Sequence, residues 1–241
     1  MLVVYGLPSC AGLRSPSPWV MKVELAMRYL SLDYRLKQPE ILQVRSEVPT
    51  SKVPCLIVDG KPIGESERIL TAIERLAAPF SYPHPSDEDQ IKGTAFLRLV
   101  EDHLFFIISR VKHLDATAST IMWSEVLPNY SLISQWLVRK YVQRTITRRI
   151  QCTSLGNLCE EEVRAEALKD IRALAAQLNS SNFIASNRLT IYDFSVAAHI
   201  ASILYWRIDN WLTRLFKEHD IFDQYLQRVA EAVGGFDYEI Q

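Results

Sequence analysis

The chain contains 241 residues, 48% of them hydrophobic and 23% charged, and its formal net charge is -1. This length and composition predict a globular protein with one large domain or two small ones, and the near-zero charge argues against a general nucleic-acid binder. No apolar stretch reaches the ~18 residues of a membrane span. The N-terminus lacks the pattern of a signal peptide, so the expected location is the cytoplasm.

The cysteines are scattered along the chain, at Cys10, Cys55, Cys152 and Cys159. They form no Cys-x-x-Cys pair, so their spacing predicts neither a disulfide framework nor a zinc site. We therefore expect no metal cofactor, and each thiol is interpreted first as a small buried hydrophobe.

The first part of the chain alternates short strands and helices. Residues 2–6 form an apolar run typical of a buried strand, and a loop rich in Ser, Gly and Pro follows. Apolar residues then recur at helical spacing from Trp19 to Leu30, and Ser17-Pro18 fits an N-cap followed by proline at the first helical position. Residues 32–36 alternate as a strand does, and residues 39–48 predict a weaker helix.

The most informative segment is residues 51–70, SKVPCLIVDGKPIGESERIL. An apolar strand, an Asp-Gly turn and a short return strand predict a β-hairpin, because both turn positions tolerate positive φ. Pro54 stands where the first strand begins, a position that tolerates the missing N–H donor. A cis bond before Pro54 would present the preceding backbone to a ligand. Ser66 can cap the next helix, residues 67–76, whose positive end favours a carboxylate.

The element order β-α-β-α-β-β-α predicts a thioredoxin-like N-terminal domain over residues 1–78. Residues 79–89 read as a linker because they are rich in proline, serine and acidic side chains. An all-helical C-terminal domain is expected over residues 90–241, with helices at 90–112, 131–150, 160–178 and 191–206 and two more at the end. Before the helix at 191–206, Thr190 and Asp193 have the spacing of a capping box, which we interpret as a folding signal.

These features together resemble the glutathione S-transferase superfamily: Val-Pro before an apolar strand, Asp-Gly, Glu-Ser, a proline-rich linker, and Leu-Thr-Ile-x-Asp at 189–193. The resemblance covers essentially the whole chain. Residues 17–24 (Ser-Pro-Trp-x-x-Lys-Val-Glu) and 101–106 (Glu-Asp-His-Leu-Phe-Phe) are similar to the metaxin and failed-axon-connections branch. The basic run at 139–149 and the acidic run at 160–162 follow the pattern of that branch too.

The resemblance implies a glutathione site in the first domain. By analogy, the backbone of Val53 before Pro54 would pair with the cysteinyl part of glutathione. Glu65 and Ser66 would hold the γ-glutamyl amine and carboxylate, with Ser66 and the helix N-terminus meeting the carboxylate. From the residues alone, Ser66 merely caps a helix and Glu65 occupies a turn; the resemblance favours the binding role.

Ser17 is the first candidate for catalysis, as a hydroxyl that stabilises the glutathione thiolate and lowers its pKa. An ordinary N-cap is an equally good interpretation of it. Ser15, Tyr5 and Cys10 are the alternatives, and Cys10 would need a nearby cation or helix end to become reactive. In omega-like relatives a cysteine occupies the position of Ser17, so its absence disfavours disulfide reductase chemistry and weakens a peroxide or dehydroascorbate reductase reading.

Three other features need separate interpretation. We expect His103 to be a partly buried, hydrogen-bonded histidine, because its acidic neighbours point to other helix faces. The run Arg139–Arg149 is interpreted as a solvated face, with contact to an anionic membrane surface as the alternative. The large aromatic residues, Trp123, Tyr130, Trp136, Tyr141, Tyr205 and Trp206, are expected to divide between core packing and the walls of an acceptor pocket.

The function that follows is transfer of glutathione to a small hydrophobic electrophile, with glutathione as co-substrate. The rival is a non-catalytic binding or scaffold protein with the same fold, as the metaxin-like resemblance permits. A homodimer is expected from the superfamily, while no nucleic acid or membrane span is expected.

Overall fold

This computed structural model describes residues 1–77 and 85–239, and its N-terminal part contains a four-stranded mixed sheet. Its strands, in spatial order, are β2 (Tyr34–Lys37), β1 (Leu2–Tyr5), β3 (Cys55–Val58) and β4 (Lys61–Gly64). β1 pairs with β2 in parallel and with β3 antiparallel, and β3 and β4 form the antiparallel hairpin. The predicted parallel pair and the predicted hairpin are both confirmed.

The pairing register brings particular chain segments to one edge of the sheet. Tyr5, the last residue of β1, pairs with Cys55, the first of β3, and Cys55 also pairs with Gly64, the last of β4. The segments that follow β1 and β4, and the segment that precedes β3, therefore meet at this edge. Because β2 is parallel to β1, the segment after Lys37 leaves the sheet here as well.

Three helices accompany the strands: α1 (Pro18–Tyr29), α2 (Val44–Glu47) and α3 (Ser66–Ala77). Ser17 occupies the expected N-cap position, although its side chain makes no capping hydrogen bond, and Pro18 is the first helical residue. The prediction of a helix over residues 39–48 was largely wrong, since only 44–47 are helical. β2 ends at Lys37, one residue later than expected, and begins at Tyr34, two residues later.

The rest of the described chain is mainly helical. One long rod consists of α4 (Asp87–Arg98), a π-helical segment (Leu99–Leu104) and α5 (Phe105–Leu114). After it come α6 (Ala116–Val126), α7 (Leu132–Gln151), α8 (Glu160–Ser180), α9 (Ile191–Leu204), α10 (Trp211–Lys217) and α11 (Ile221–Ala232). The predicted fold class, a thioredoxin-like domain followed by a largely helical one, is confirmed; α6 was not predicted.

The junction between the two parts is only partly described. Residues 78–84, which make up most of the predicted linker, lie outside the described residues. α4 begins at Asp87, three residues before the predicted start of the helical domain, because Ser86 and Asp89 form a capping box there. None of the described helices is long and apolar enough to cross a membrane.

Helix α9 is the centre of the helical part, and nearly all its residues are buried. It packs against α1, α4, α10 and α11. The carboxylate of Asp193 in its first turn accepts hydrogen bonds from the backbone N–H of Thr190 (2.8 Å) and its hydroxyl (2.8 Å). It also accepts from the N–H of Ile184 (2.7 Å) and the hydroxyl of Tyr225 (3.0 Å). The predicted capping box therefore also ties α9 to α11.

We expect Asp193→Ala to lower the free energy of unfolding by about 3–5 kcal/mol, because it leaves several buried donors without an acceptor. Urea unfolding followed by circular dichroism measures the change. Asp209→Ala is the control, since Asp209 lies on the surface in an exposed ion pair with Arg214 and should cost below about 1 kcal/mol. Equal losses in the two variants would contradict the account of α9.

Candidate active site

Four residues at the sheet edge, Val53, Pro54, Glu65 and Ser66, form what we call the hairpin corner. The Cys55–Gly64 pair places Val53-Pro54 beside Glu65-Ser66, so the structure brings all four predicted residues together. The Val53–Pro54 peptide bond is cis, which is the geometry that the sequence allowed.

The corner presents one exposed carboxylate beside the start of a helix. The side chain of Glu65 is 71% exposed, and its Oε1 lies 3.9 Å from Nζ of Lys52. Glu65 has φ of +63°, an uncommon conformation for a residue other than glycine. Such strained backbone conformations are concentrated at functional sites. Its carbonyl accepts the N–H of Ile69 (3.0 Å), so Glu65 occupies the N-cap position of α3. The prediction that Ser66 caps this helix was wrong: Ser66 is the first helical residue and is buried.

Ser17 stands at the N-terminus of α1, near the same sheet edge. A helix that connects two parallel strands runs back along the sheet, so α1 begins on the side where β1 ends. The Ser17 carbonyl accepts the N–H of Val20 (3.1 Å), but its side chain makes no capping hydrogen bond. The first turn of α1 contains no acidic residue, so the positive end of the helix is not neutralised there. The Ser17 hydroxyl is therefore not committed to the cap.

The alternatives to Ser17 are more constrained. Ser15 is buried, and its hydroxyl oxygen accepts the N–H of Ser17 (3.3 Å). The Tyr5 hydroxyl accepts a hydrogen bond from Nζ of Lys37 (3.4 Å), and the same ammonium lies 5.3 Å from the Tyr5 ring. Burial, with a smaller effect from Glu125, raises the pKa of the Cys10 thiol to about 12, so Cys10 stays protonated at neutral pH.

The loop between β1 and α1 is held by the helical part of the chain. Residues 10–13 form a tight turn in which Cys10 and Leu13 exchange backbone hydrogen bonds (3.1 and 2.9 Å). The N–H of Ala11 donates to Oε2 of Glu125 in α6 (2.7 Å), and its carbonyl accepts the N–H of Arg207 (3.0 Å). This anchoring fixes the path of the chain that leads to Ser17.

Helix α1 is fixed by two buried carboxylates. Nζ of Lys22 lies 2.7 Å from Oε1 of Glu101 in the π-helical segment, with side-chain exposures of 1% and 8%, and the Ser195 hydroxyl donates to the same oxygen. Burial alone would raise the pKa of Glu101, but Lys22 and Ser195 together hold it below its usual value. Oε1 of Glu24 accepts hydrogen bonds from Arg14 (2.9 Å) and Tyr34 (3.1 Å).

A cleft of about 260 Å³ opens beside the loop. One wall comes from the loop after β1, a second from the segment after β2, and the third from the end of α6 and the turn that follows. The lining residues are Leu7, Pro8, Ser9, Cys10, Pro16, Glu40, Ile41, Glu125, Val126, Pro128, Asn129 and Tyr130. The Tyr130 hydroxyl donates to Oε2 of Glu40 (2.8 Å), so a hydrogen bond joins two walls.

The other residues singled out from the sequence have structural roles. Nδ1 of His103 lies 2.6 Å from Oδ2 of Asp170, and this hydrogen bond raises the pKa of His103 above its ordinary value. His103 is half-buried, as expected. Of the six aromatic residues, Tyr130 lines the cleft, Trp123 and Trp206 are buried in the core, and Trp136 and Tyr141 are exposed on α7. The sixth, Tyr205, is half-buried and stacks on Tyr238 with ring centroids 5.9 Å apart.

Sequence reasoning did not single out Lys52, Glu40 or Glu125. Lys52 directly precedes the Val-Pro step, so its position in the chain was a usable signal. Glu125 reaches the loop from 114 residues away, and no local pattern could reveal that contact.

The chain resembles known proteins in sequence and in fold. Residues 18–118 match the family model of the glutathione S-transferase N-terminal domain. The isoprene-epoxide–glutathione S-transferase of Rhodococcus sp. (strain AD45) is 25% identical over 213 residues, which cover 83% of this chain and 87% of that protein.

Solved structures share the whole architecture. The beta-etherase LigF from Sphingobium sp. strain SYK-6 superposes with a TM-score of 0.65 at 14% identity, over 97% of both chains. The Bombyx mori glutathione transferase BmGSTD1 gives a TM-score of 0.61 at 15% identity, over 97% of this chain and 88% of that one. The sequence matches thus support similarity to the glutathione S-transferase superfamily, and the solved structures show that the chain shares its fold.

Lys112 is buried near Cys10 of this loop, and the pH dependence of stability tests that burial. Burial lowers the pKa of Lys112 to about 7, while the nearby Cys10 opposes this effect, and Nζ lies 5.2 Å from the Trp206 ring. Between pH 7 and the ordinary lysine pKa the unfolded chain binds more protons than the folded one, so stability should rise with pH. We expect Lys112→Met to remove this rise, about 2 kcal/mol between pH 7 and pH 9.

Urea unfolding at the two pH values measures the difference between wild type and variant. Lys169→Met is the matched control, because Lys169 is exposed on α8 and should leave the pH dependence as it is in the wild type. If Lys112→Met shows the pH dependence of the wild type, the lysine is not buried as described.

Proposed function

We propose that this chain transfers glutathione to a small hydrophobic electrophile, with glutathione at the hairpin corner and the acceptor in the neighbouring cleft. The family match and the Rhodococcus relative indicate a glutathione transferase. The observation that carries the proposed site is that the hairpin corner, the N-terminus of α1 and the cleft all lie at one edge of the sheet.

Each part of the hairpin corner suits one part of glutathione, which is a γ-glutamyl-cysteinyl-glycine tripeptide. In the proposed complex the backbone of Val53 pairs with the cysteinyl unit as a neighbouring strand would. The N-terminus of α3 and Ser66 receive the γ-glutamyl carboxylate, since helix N-termini favour anions. The exposed carboxylate of Glu65 holds the ammonium group, and Lys52 adds a positive charge beside this anionic ligand.

Ser17 is the proposed thiolate stabiliser. A hydroxyl that donates to sulfur, together with the positive end of α1, lowers the pKa of the bound thiol and raises the thiolate fraction at neutral pH. The proposal rests on its uncommitted side chain at the start of a twelve-residue helix. In this role Ser17 is not a nucleophile and forms no covalent intermediate.

The reaction balances without a further reactant. The bound thiol releases its proton to solvent, and the sulfur lone pair forms a bond to the electrophilic carbon of the acceptor. With a chloronitroarene the bond from carbon to chlorine breaks and chloride leaves. With an epoxide the C–O bond breaks, and the resulting alkoxide takes a proton from water.

Small epoxides are the acceptor class that we propose first. The name of the Rhodococcus relative specifies isoprene epoxide, and a cleft of about 260 Å³ suits an acceptor of a few carbon atoms. Apolar side chains such as Leu7, Ile41 and Val126 provide the surface for a hydrophobic molecule.

The rival reading, a non-catalytic scaffold with this fold, is not favoured by the comparisons. The metaxin-like branch stays a prediction. Two motifs that suggested it contain Lys22, Glu24 and Glu101, and these residues make the ion pairs that fix α1. Their pattern therefore has a structural explanation that is independent of a scaffold role.

Isothermal titration tests the ligand site. We expect glutathione to bind the wild type, and Glu65→Gln to weaken binding by about tenfold, because the variant loses a charge-assisted contact with the ammonium group. Glu67→Gln is the matched control: Glu67 is exposed in the same helical turn but faces Arg98 (3.3 Å). Absence of heat at millimolar glutathione, or equal effects of both variants, would refute the proposed site.

Steady-state rates with a chloronitroarene and with a small epoxide test the role of Ser17. We expect Ser17→Ala to lower kcat by about a hundredfold, as loss of one donor to a developing or stabilised anion does. The variant should recover activity at higher pH, because the thiol of glutathione bound to it would have a higher pKa. Ser15→Ala separates the two serines: if that variant loses the activity while Ser17→Ala keeps it, the assignment of Ser17 is wrong.

A further inference from the structure

Helix α7 has an outward surface that the proposed transferase reaction does not use. Other positions on the helix are packed: Ile146 and Ile150 are buried, and Nε2 of Gln143 donates to the carbonyl of His113 in α5 (3.0 Å). The helix is therefore held on the body of the protein with one fixed side facing outward. At about 100° per residue, the outward side chains lie within an arc of about 140°.

The N-terminal half of this side is apolar. Ile133 is 73% exposed, and Trp136, Leu137 and Tyr141 are each more than half exposed. Exposed apolar side chains are common singly, but a contiguous group of large ones on one helix marks an interaction surface.

Cations follow along the same side, beginning between Leu137 and Tyr141 and continuing to the C-terminal end of the helix. Lys140, Arg144 and Arg148 follow one another at intervals of four residues and are exposed. Among the residues that the structure describes, none of the three takes part in an ion pair. All twenty residues of α7 lack an acidic side chain, although the chain as a whole has a net charge of -1. The positive charge is thus concentrated here.

We propose that this surface, which we call the α7 face (Ile133, Trp136, Leu137, Lys140, Tyr141, Arg144 and Arg148), docks the protein on an anionic lipid surface. Apolar side chains on a fixed helix can enter the boundary between headgroups and acyl chains. Trp and Tyr rings are favoured at that depth, and adjacent cations are attracted to anionic headgroups. The face combines all three features on one rod of about 30 Å.

A second copy of the chain and a nucleic acid each fit this face less well than a lipid surface does. In a twofold contact the same patch meets itself, and because α7 has no acidic side chain the cations of both helices would find no anionic partner on the face. A nucleic acid would satisfy the cations but leave Ile133 and Leu137 without an apolar partner. A lipid surface satisfies both halves of the face.

Co-sedimentation of the full chain with vesicles tests the proposal. We expect binding to vesicles of phosphatidylcholine mixed with phosphatidylserine, little binding to phosphatidylcholine alone, and weakening as salt is raised. Arg144→Gln/Arg148→Gln should weaken binding by about 25-fold, since each cation contributes about fivefold. Ile133→Ser/Leu137→Ser should weaken it by at least about tenfold.

Matched controls separate the α7 face from general effects. Arg172→Gln/Arg188→Gln removes the same charge from exposed positions elsewhere, and Leu76→Ser/Ile91→Ser removes exposed apolar side chains elsewhere. Both controls should bind vesicles as the wild type does, and all variants should keep their circular dichroism spectrum.

Three results would overturn the proposal. The first is no binding at any phosphatidylserine content, and the second is equal weakening by the controls. The third is a dimer in sedimentation velocity that Ile133→Ser/Leu137→Ser dissociates while vesicle binding is absent, since the face would then be a subunit contact.

Discussion

The ion pair between Lys22 and Glu101 joins helix α1 to the helical part of the chain, and the candidate site depends on where α1 is held. Both side chains are almost fully buried, so each charge requires the other: removal of one partner would leave an unpaired charge inside the protein. The Ser195 hydroxyl from α9 donates to the same carboxylate. One buried cluster thus connects α1, the long helical rod and the central helix α9.

Two consequences follow for the site. Contacts to both parts of the chain position the start of α1, and Ser17 with it. Lys22 binds Glu101 in the helical part, and Glu24 on the same helix binds Arg14 of the preceding loop. The loop in turn depends on the helical part through the contact between Ala11 and Glu125. The hairpin corner is built by the sheet alone, whereas the proposed thiolate stabiliser and the cleft require both parts.

The sequence predicted those features that short segments specify by themselves. The hairpin followed from the Asp-Gly turn between two strands, the start of α1 from Ser17-Pro18, and the start of α9 from the spacing of Thr190 and Asp193. The helix expected over 39–48 failed because a weak local preference gave way to turns, and α6 was missed because its residues show no clear apolar periodicity. The walls of the cleft could not be predicted, since contacts such as that between Tyr130 and Glu40 join residues 90 positions apart.

The role of Ser17 is tested best by the pKa of the glutathione thiol in the proposed complex, followed by the ultraviolet absorbance of the thiolate as pH is varied. A free cysteine thiol titrates near about 8.5. We expect binding to lower the thiol pKa towards neutrality, and Ser17→Ala to return it towards the free value while glutathione stays bound. If the bound thiol of the wild type titrates like free glutathione, Ser17 and the start of α1 do not stabilise a thiolate.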